Sequence, residues 1–316
     1  MAAVILLCKP AVQAWQLGRT LDAKLDGAFG VPPVPRPCPA FSLAAVVVPR
    51  NPAPVAIETM PYADGLALDF YRPPGAAGDS PRPCVVVIHG GSWVMGNRLD
   101  EGTTRWLNDW LAGLGYAVAS IDYRLSPRFQ WPAQRDDVLA AIRFLREHAA
   151  ALHIDGDRLV LAGRSAGAQM ATAAAYAEVI PGVRGLVDIY GPTDFDLTWD
   201  AATRPRSLDH RDNLEIFLGG SVETARAACQ SASGTMLVTP RAPPTLILHG
   251  GLDINVFPEQ AELLDRNLAA AGVPHALVSL RWGGHAFDLV HFDTPGTPGA
   301  QIGRYAIVRF LASVTQ

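Results

Sequence analysis

Arg158-Leu159-Val160-Leu161-Ala162 runs directly into Gly163-Arg164-Ser165-Ala166-Gly167, and an alanine-rich stretch follows as far as Val179. The first five residues form the short apolar run that a buried strand needs, and alanine is the strongest helix former. A chain that turns so abruptly from strand to helix pushes its central side chain out above the sheet edge. Small residues at 163, 166 and 167 relieve the crowding around such a turn. Ser165 is therefore expected at an exposed elbow, with the N–H groups of the helix start aimed toward it. A plain glycine-rich loop, with the serine only capping the helix, is the competing reading.

The same rhythm extends outward on both sides. Residues 84–89 (CVVVIH), 116–122, 183–189, 245–248 and 275–280 read as strands covered on both faces. Between them, 102–114, 136–148, 166–179, 258–271 and 299–313 carry helical spacing of apolar residues. Residues 55–60 and 66–71, joined by Tyr62-Ala63-Asp64-Gly65, read as a hairpin with an Asp-Gly turn. This alternation predicts an α/β chain: a mostly parallel central sheet with helices on both faces, over residues 55–316. Residues 191–243 form a long connection between two strands, the length at which a lid-like insertion is expected. Residues 1–54 are set apart as an apolar and proline-rich segment, with 31–54 extended like a linker or an outer wrap.

A serine hydroxyl is a weak nucleophile at neutral pH and needs a base beside it. On a sheet of this kind the order along the chain is serine, acid, histidine. Asp253, in His249-Gly250-Gly251-Leu252-Asp253, follows the strand at 245–248. His285, in Arg281-Trp282-Gly283-Gly284-His285, follows the next strand. Successive strand ends share one edge of a parallel sheet, so Ser165, Asp253 and His285 are expected to converge there. Asp194, just after the strand at 183–189, is the substitute acid. His89 and His249 precede glycine pairs and are expected to organise their loops. His148, His153, His210, His275 and His291 read as surface or packing histidines.

His89-Gly90-Gly91-Ser92-Trp93 leaves the strand at 84–88 with two glycines that let the backbone approach a substrate closely. Backbone N–H groups placed there would stabilise a developing oxyanion, at roughly 3 kcal/mol per donor. Gly91 and Ser92 are the preferred donors, Gly90 supplies flexibility, and Ala166 adds the N–H after the nucleophile. Trp93 and Arg164 are candidate pocket residues. With Phe195, Trp199, Leu214, Phe217 and Leu218 of the insertion, Trp93 is expected to cover an apolar acyl pocket. That predicts a preference for small, uncharged acyl groups; the same aromatics read equally well as plain core.

Composition narrows the rest. The chain is 49% hydrophobic and 18% charged, with 26 basic against 30 acidic residues and a net charge of −4. That balance gives no electrostatic reason to expect nucleic acid. The four cysteines, Cys8, Cys38, Cys84 and Cys229, are scattered and form no metal-binding or disulfide pattern, so no metal or cofactor is expected. Residues 1–8 (MAAVILLC) are apolar, but Lys9 and Pro10 are expected to end that stretch before it could span a bilayer. It has no basic leader of a secretion signal, which slightly favours the cytoplasm. Membrane association through it stays open, as does the oligomeric state.

Taken together, these motifs resemble the α/β-hydrolases, specifically the carboxylesterases related to hormone-sensitive lipase and the feruloyl-esterase-like branch. The resemblance covers about residues 55–316. It rests on His89-Gly90-Gly91-Ser92-Trp93, Ile121-Asp122-Tyr123-Arg124-Leu125-Ser126-Pro127 and Gly163-Arg164-Ser165-Ala166-Gly167. It continues through His249 to Asp253 with Val256-Phe257-Pro258 after it, and through residues 283–288. It implies a small-molecule ester as substrate, Ser165 as nucleophile, His285 as base, Asp253 as its partner, and residues 90–92 with Ala166 as the oxyanion loop. Two departures stand out. Ser92 occupies a place where many hormone-sensitive-lipase relatives carry a third glycine, and Arg164 one where many carry Asp. The first brings the chain nearer the feruloyl-esterase-like and kynurenine-formamidase-like branches. An arylformamidase or peptidase-type amide hydrolase therefore stays open, as does a non-catalytic ligand-binding member of the fold.

Overall fold

β-Branched apolar runs cannot stand alone in water, because each exposes two sticky faces and a row of unpaired peptide groups. Here they pair into one eight-stranded sheet. The computed structural model describes residues 2–33, 38–48, 51–75, 80–99, 105–201, 210–288 and 296–316, excluding the side chains of residues 2–8. In chain order, helices α1 (Ala2–Phe29) and α2 (Leu43–Val47) precede strands β1 (Ala56–Ala63), β2 (Leu66–Arg72) and β3 (Arg82–Ile88). Then come α3 (Arg105–Gly113), β4 (Ala117–Ile121), α4 (Ala133–Glu147), α5 (Ala149–Leu152), β5 (Ile154–Arg164), α6 (Ala166–Ala177) and β6 (Val183–Ile189). The insertion carries α7 (Phe195–Ala201), α8 (Arg211–Leu218), α9 (Arg226–Ala232) and α10 (Gly234–Leu237). Strand β7 (Thr245–Gly250), α11 (Glu259–Ala270), β8 (His275–Leu280) and α12 (Pro298–Val314) complete the order.

The strands lie in the order β1-β2-β4-β3-β5-β6-β7-β8. The β1–β2 and β2–β4 pairings are antiparallel, and every pairing from β4 to β8 is parallel. The period-two alternation of strand side chains splits the core in two. Cys84, Val86 and Ile88 of β3 face one layer, with Val138 of α4, Met170 of α6 and Leu264 of α11. Val85 and Val87 face the other, with Leu111 of α3, Leu21 of α1 and Phe310 of α12. All six parallel strands discharge at one edge, which is where the loops carrying the candidate residues lie.

The first thirty residues depart from the expectation. The helix that opens with these apolar residues does not stop at Lys9-Pro10 but runs through Pro10 to Phe29; as expected, no helix among the described residues is long and apolar enough to cross a membrane. An internal proline costs a helix about 3 kcal/mol, and burial offsets that cost. Ala14, Leu21 and Leu25 are at most 2% exposed against the sheet and α12. Polar pairs fix the register: Tyr305 donates to Asp22, Arg309 to Asp26 and Ser313 to the Gly30 carbonyl, each pair 283 residues apart in the chain. A constant offset means that α1 and α12 run parallel. The helix therefore packs as part of the sheet's cover, although the sequence reading set it outside the catalytic body. We predict that Leu21→Ala lowers the unfolding free energy by about 2–5 kcal/mol, the usual cost of truncating a buried leucine. Urea titration should show this as a lower midpoint of a single transition. An unchanged midpoint would mean that α1 is not part of the cooperative unit.

Candidate active site

The turn at Ser165 is built from close approach. Ser165 itself sits at φ 52° and ψ −120°, a conformation L-residues rarely adopt. A Cβ on Gly163 would stand 2.3 Å from the Gly167 carbonyl oxygen, and one on Gly167 would stand 2.2 Å from that of Ile88. Only glycine fits at either place. Ser165 N–H donates to the Ile189 carbonyl at 2.9 Å, tying the turn to the end of β6.

His285 and Asp253 come to this hydroxyl from the neighbouring strand ends. His285 Nε2 lies 3.1 Å from Ser165 Oγ, and its Nδ1 lies 2.7 Å from Asp253 Oδ2. A carboxylate can only accept, so Nδ1 carries the proton and Nε2 presents its lone pair to the serine hydroxyl. Asp253 is fixed in turn: its Oδ1 accepts the Asn255 and Val256 N–H groups, both at 2.9 Å. Val256 is held by His249, whose Nε2 donates to its carbonyl at 2.8 Å. Burial pushes the His249 imidazole below its ordinary pKa, so it stays neutral and serves as a strut for this loop. Tyr190 packs its ring against His285, with centroids 4.6 Å apart.

Asp194, the substitute acid, is placed elsewhere. Its carboxylate caps α7 by accepting from Leu197 N–H at 2.9 Å and from the Thr235 hydroxyl at 2.8 Å. Asp188, at the end of β6, is wholly buried and accepts from Gly191 N–H at 2.8 Å. Burial raises its pKa to about 7, against the opposing pull of that N–H. In the sheet it pairs with Gly163, two residues before Ser165.

The loop after β3 carries turned-out peptide N–H groups. The Gly90 carbonyl accepts from His89 Nδ1 at 2.7 Å, and it shares the Tyr123 hydroxyl with the His89 carbonyl, at 3.3 and 3.2 Å. The C=O and N–H of a planar trans peptide point in opposite directions, so the Gly91 N–H faces away from those groups. The Gly91 carbonyl is likewise engaged by the N–H groups of Val94 and Met95, both at 3.1 Å, which turns the Ser92 N–H outward. Gly91 stands at φ 122°, where a Cβ would meet the Met95 carbonyl at 2.1 Å. Gly90 packs on the elbow, where a Cβ would press on the Arg164 carbonyl at 3.1 Å. Ala166 opens α6, and the first N–H groups of a helix have no acceptor within it. The His89 ring, stacked on Tyr123 at 4.2 Å, is indeed a loop organiser.

Among the described residues, two cavities flank Ser165. The smaller, about 50 Å³, is lined by Trp93, Ala166, Pro192, Thr198, His210 and Val256, among others. The larger, about 360 Å³, is lined by Gly90, Gly91, Met95, Arg164 and Tyr190 along with the serine and histidine. Trp93 is buried and walls the small chamber; its ring stacks on Phe217 at 4.5 Å and its Nε1 donates to Gln169 at 2.9 Å. Phe195, Leu214, Phe217 and Leu218 sit behind it as core rather than facing substrate space, while Trp199 is half-buried. Arg164 lines the larger cavity, where its Nε donates to Asp288 at 2.7 Å and the Tyr190 hydroxyl donates to the same carboxylate at 2.7 Å.

Several residues of the site were not singled out from sequence: Tyr190, Pro192, Thr198 and Asn255 in the cavity walls, and Tyr123 and Asp288, which hydrogen-bond residues of those walls. His210, read as a surface or packing histidine, lines the small chamber. The insertion at 202–209 and His291 lie outside the described residues. Among the described residues, no group of three or more acidic, histidine or cysteine side chains could hold a metal ion. No helix there is long and apolar enough to cross a membrane.

Residues 68–268 match the BD-FAE family. The chain is 30% identical over 250 residues to the esterase LipC of Mycobacterium tuberculosis, an alignment covering 74% of this chain and 59% of that one. It is 35% identical to the esterase LipI of the same organism, over 72% of this chain and 74% of LipI. The chain thus spans about three fifths of LipC, and likewise 59% of the carboxylic ester hydrolase LipM. Among solved structures, the esterase of Pyrobaculum calidifontis superposes with a TM-score of 0.69 at 22% identity, covering 83% of this chain and 87% of that one. The butyrate-bound esterase of Thermogutta terrifontis superposes at 0.66 with 24% identity, covering 81% and 93%. A family match across most of the sheet, with the elbow and both glycine loops inside it, settles the assignment: the chain belongs to the BD-FAE family and has the α/β-hydrolase fold.

Proposed function

We propose that the chain is a serine hydrolase that cleaves small-molecule carboxylic esters through an acyl-enzyme intermediate, with Ser165 as nucleophile, His285 as general base and Asp253 as its orienting acid. The observation that carries this reading is the unbroken hydrogen-bonded series from Asp253 through His285 to Ser165, at 2.7 and 3.1 Å. The esterase names of LipC and LipI support the same chemistry. Ser165 Oγ attacks the acyl carbon as His285 Nε2 takes its proton, and the carbonyl electron pair moves onto oxygen. The N–H groups of Gly91, Ser92 and Ala166 receive that oxyanion. Collapse expels the alcohol, which takes the proton from His285. Water then repeats the sequence and frees the acid. Asp253 holds the imidazole in one tautomer and stabilises its positive form without taking the proton.

The acyl half is assigned to the small chamber. The acyl group stays bound to Ser165 through the second half of the cycle, whereas the alcohol must leave and water must enter. A chamber of about 50 Å³ walled by Trp93, Pro192 and Val256 suits a short, uncharged acyl group, and the larger cavity suits the departing alcohol.

Three outcomes are expected. A fluorophosphonate probe labels the wild-type chain and does not label Ser165→Ala, whose kcat for ester hydrolysis falls by at least about a thousandfold. Labelling or full turnover by folded Ser165→Ala would overturn the assignment. Across acetate, butyrate, octanoate and palmitate esters of one alcohol, kcat/KM is highest at the short end; fastest turnover of palmitate would reject the chamber assignment. Tyr123→Phe removes a bond that holds the Gly90–Gly91 peptide, so kcat falls about tenfold with KM nearly constant. A change in KM alone would show that the loop does not depend on Tyr123.

A further inference from the structure

Four residues line both cavities: Ser92, Ser165, Asn255 and His285. A side chain that borders two chambers meeting at one hydroxyl stands at their junction, where the scissile ester must sit. Ser165 and His285 supply the nucleophile and base of the proposed reaction, and Ser92 belongs to the oxyanion loop. Asn255 is the fourth, and nothing in that reaction uses its side chain.

The local geometry fixes where Asn255 stands without engaging its side chain. Its backbone N–H donates to Asp253 Oδ1 at 2.9 Å, so the residue is anchored two positions beyond the acid. The next N–H, from Val256, goes to the same oxygen at 2.9 Å. The carboxamide is half-buried and makes no hydrogen bond to another described side chain or peptide group. The neighbouring polar groups are already engaged. In the larger cavity the Tyr190 hydroxyl and Arg164 Nε both donate to Asp288. In the small chamber the Thr198 hydroxyl donates to the Asp194 carbonyl at 2.8 Å and accepts from Gln260 at 2.8 Å. Of the remaining walls of that chamber, Trp93, Ala166, Pro192 and Val256 are apolar, and His210 contributes an imidazole.

We propose that Asn255 is a specificity-determining residue whose carboxamide hydrogen-bonds a polar substituent on the alcohol half of the substrate, close to the ester oxygen. The proposal rests on the esterase reading and on the alcohol's place in the larger cavity. A carboxamide both donates and accepts, so it can pair with a hydroxyl on the carbon next to the ester-bearing one. An alkyl alcohol offers it nothing and leaves it desolvated and unpaired. That difference discriminates between substrates of equal size.

The test compares glycerol monobutyrate with propyl butyrate, which share the acyl group and the three-carbon alcohol skeleton. Wild-type chain and the variants Asn255→Leu and Asn255→Ala are assayed for kcat/KM on both, with melting temperature as a fold check. The expected result is that the glycerol-to-propyl ratio falls about tenfold in both variants, the loss of one neutral hydrogen bond. An unchanged ratio overturns the proposal, whether both activities fall together, as a disturbed Asp253 loop would produce, or neither falls. If the wild-type chain turns over propyl butyrate but not the glycerol ester, the assignment to Asn255 fails and the esterase reading stands. If it turns over neither and resists the fluorophosphonate, the esterase reading itself has failed.

Discussion

The backbone at Ser165 holds a conformation that its own side chain disfavours, and the site depends on that strain being held. What holds it is the closeness of its neighbours. The backbones of residues 163 and 167 touch, and that of Gly167 in turn rests on the end of β3. With no slack on any side, the hydroxyl has one direction to point. The same contact brings the first glycine loop against the elbow, so the Ser165 hydroxyl and the outward N–H groups of residues 91 and 92 share a single packing arrangement. A methyl group at Gly163 or Gly167 would disturb both at once.

Each strand end then contributes through a hydrogen bond that orients something else. His249 steadies Val256, the peptides at 255 and 256 steady Asp253, and Asp253 steadies His285. On the other flank, His89 and Tyr123 turn one peptide while Val94 and Met95 turn the next. Few of these groups would face the reacting atoms. Their work is to remove alternatives, which is how preorganised donors avoid reorganising as charge develops.

How far this was legible follows from the range of each signal. The elbow, the two glycine pairs, and the acid and histidine beyond successive strands are all written within a few residues of a recognisable strand, so reading each strand end located them. The α/β layering came from the same local periodicity. Groups that act across the fold left no such trace. Asp288 pairs with Arg164 from 124 residues away, and nothing near either residue names the other. Asn255 stands two residues past the acid, but its place between two cavities exists only once the strands are assembled. The aromatics of the insertion looked alike in sequence. Only packing separates Trp93, which walls the chamber, from Phe195 and Phe217, which back it. The place of α1 in the sheet's cover was not legible either, because the burial that offsets Pro10 comes from partners at the far end of the chain.

The pairing of α1 with α12 sets an order of events in synthesis. The ribosome releases α1 with its buried stripe and with Asp22 and Asp26 lacking their partners in α12, and those partners emerge 283 residues later. Until then Leu21 and Leu25 have neither their final neighbours nor a completed sheet to lie on. A contact of such sequence separation forms slowly, because a long loop must close before it is rewarded. The nascent chain thus carries an unmatched apolar helix while those 283 residues are made, an interval in which exposed surface of this kind is prone to wrong contacts.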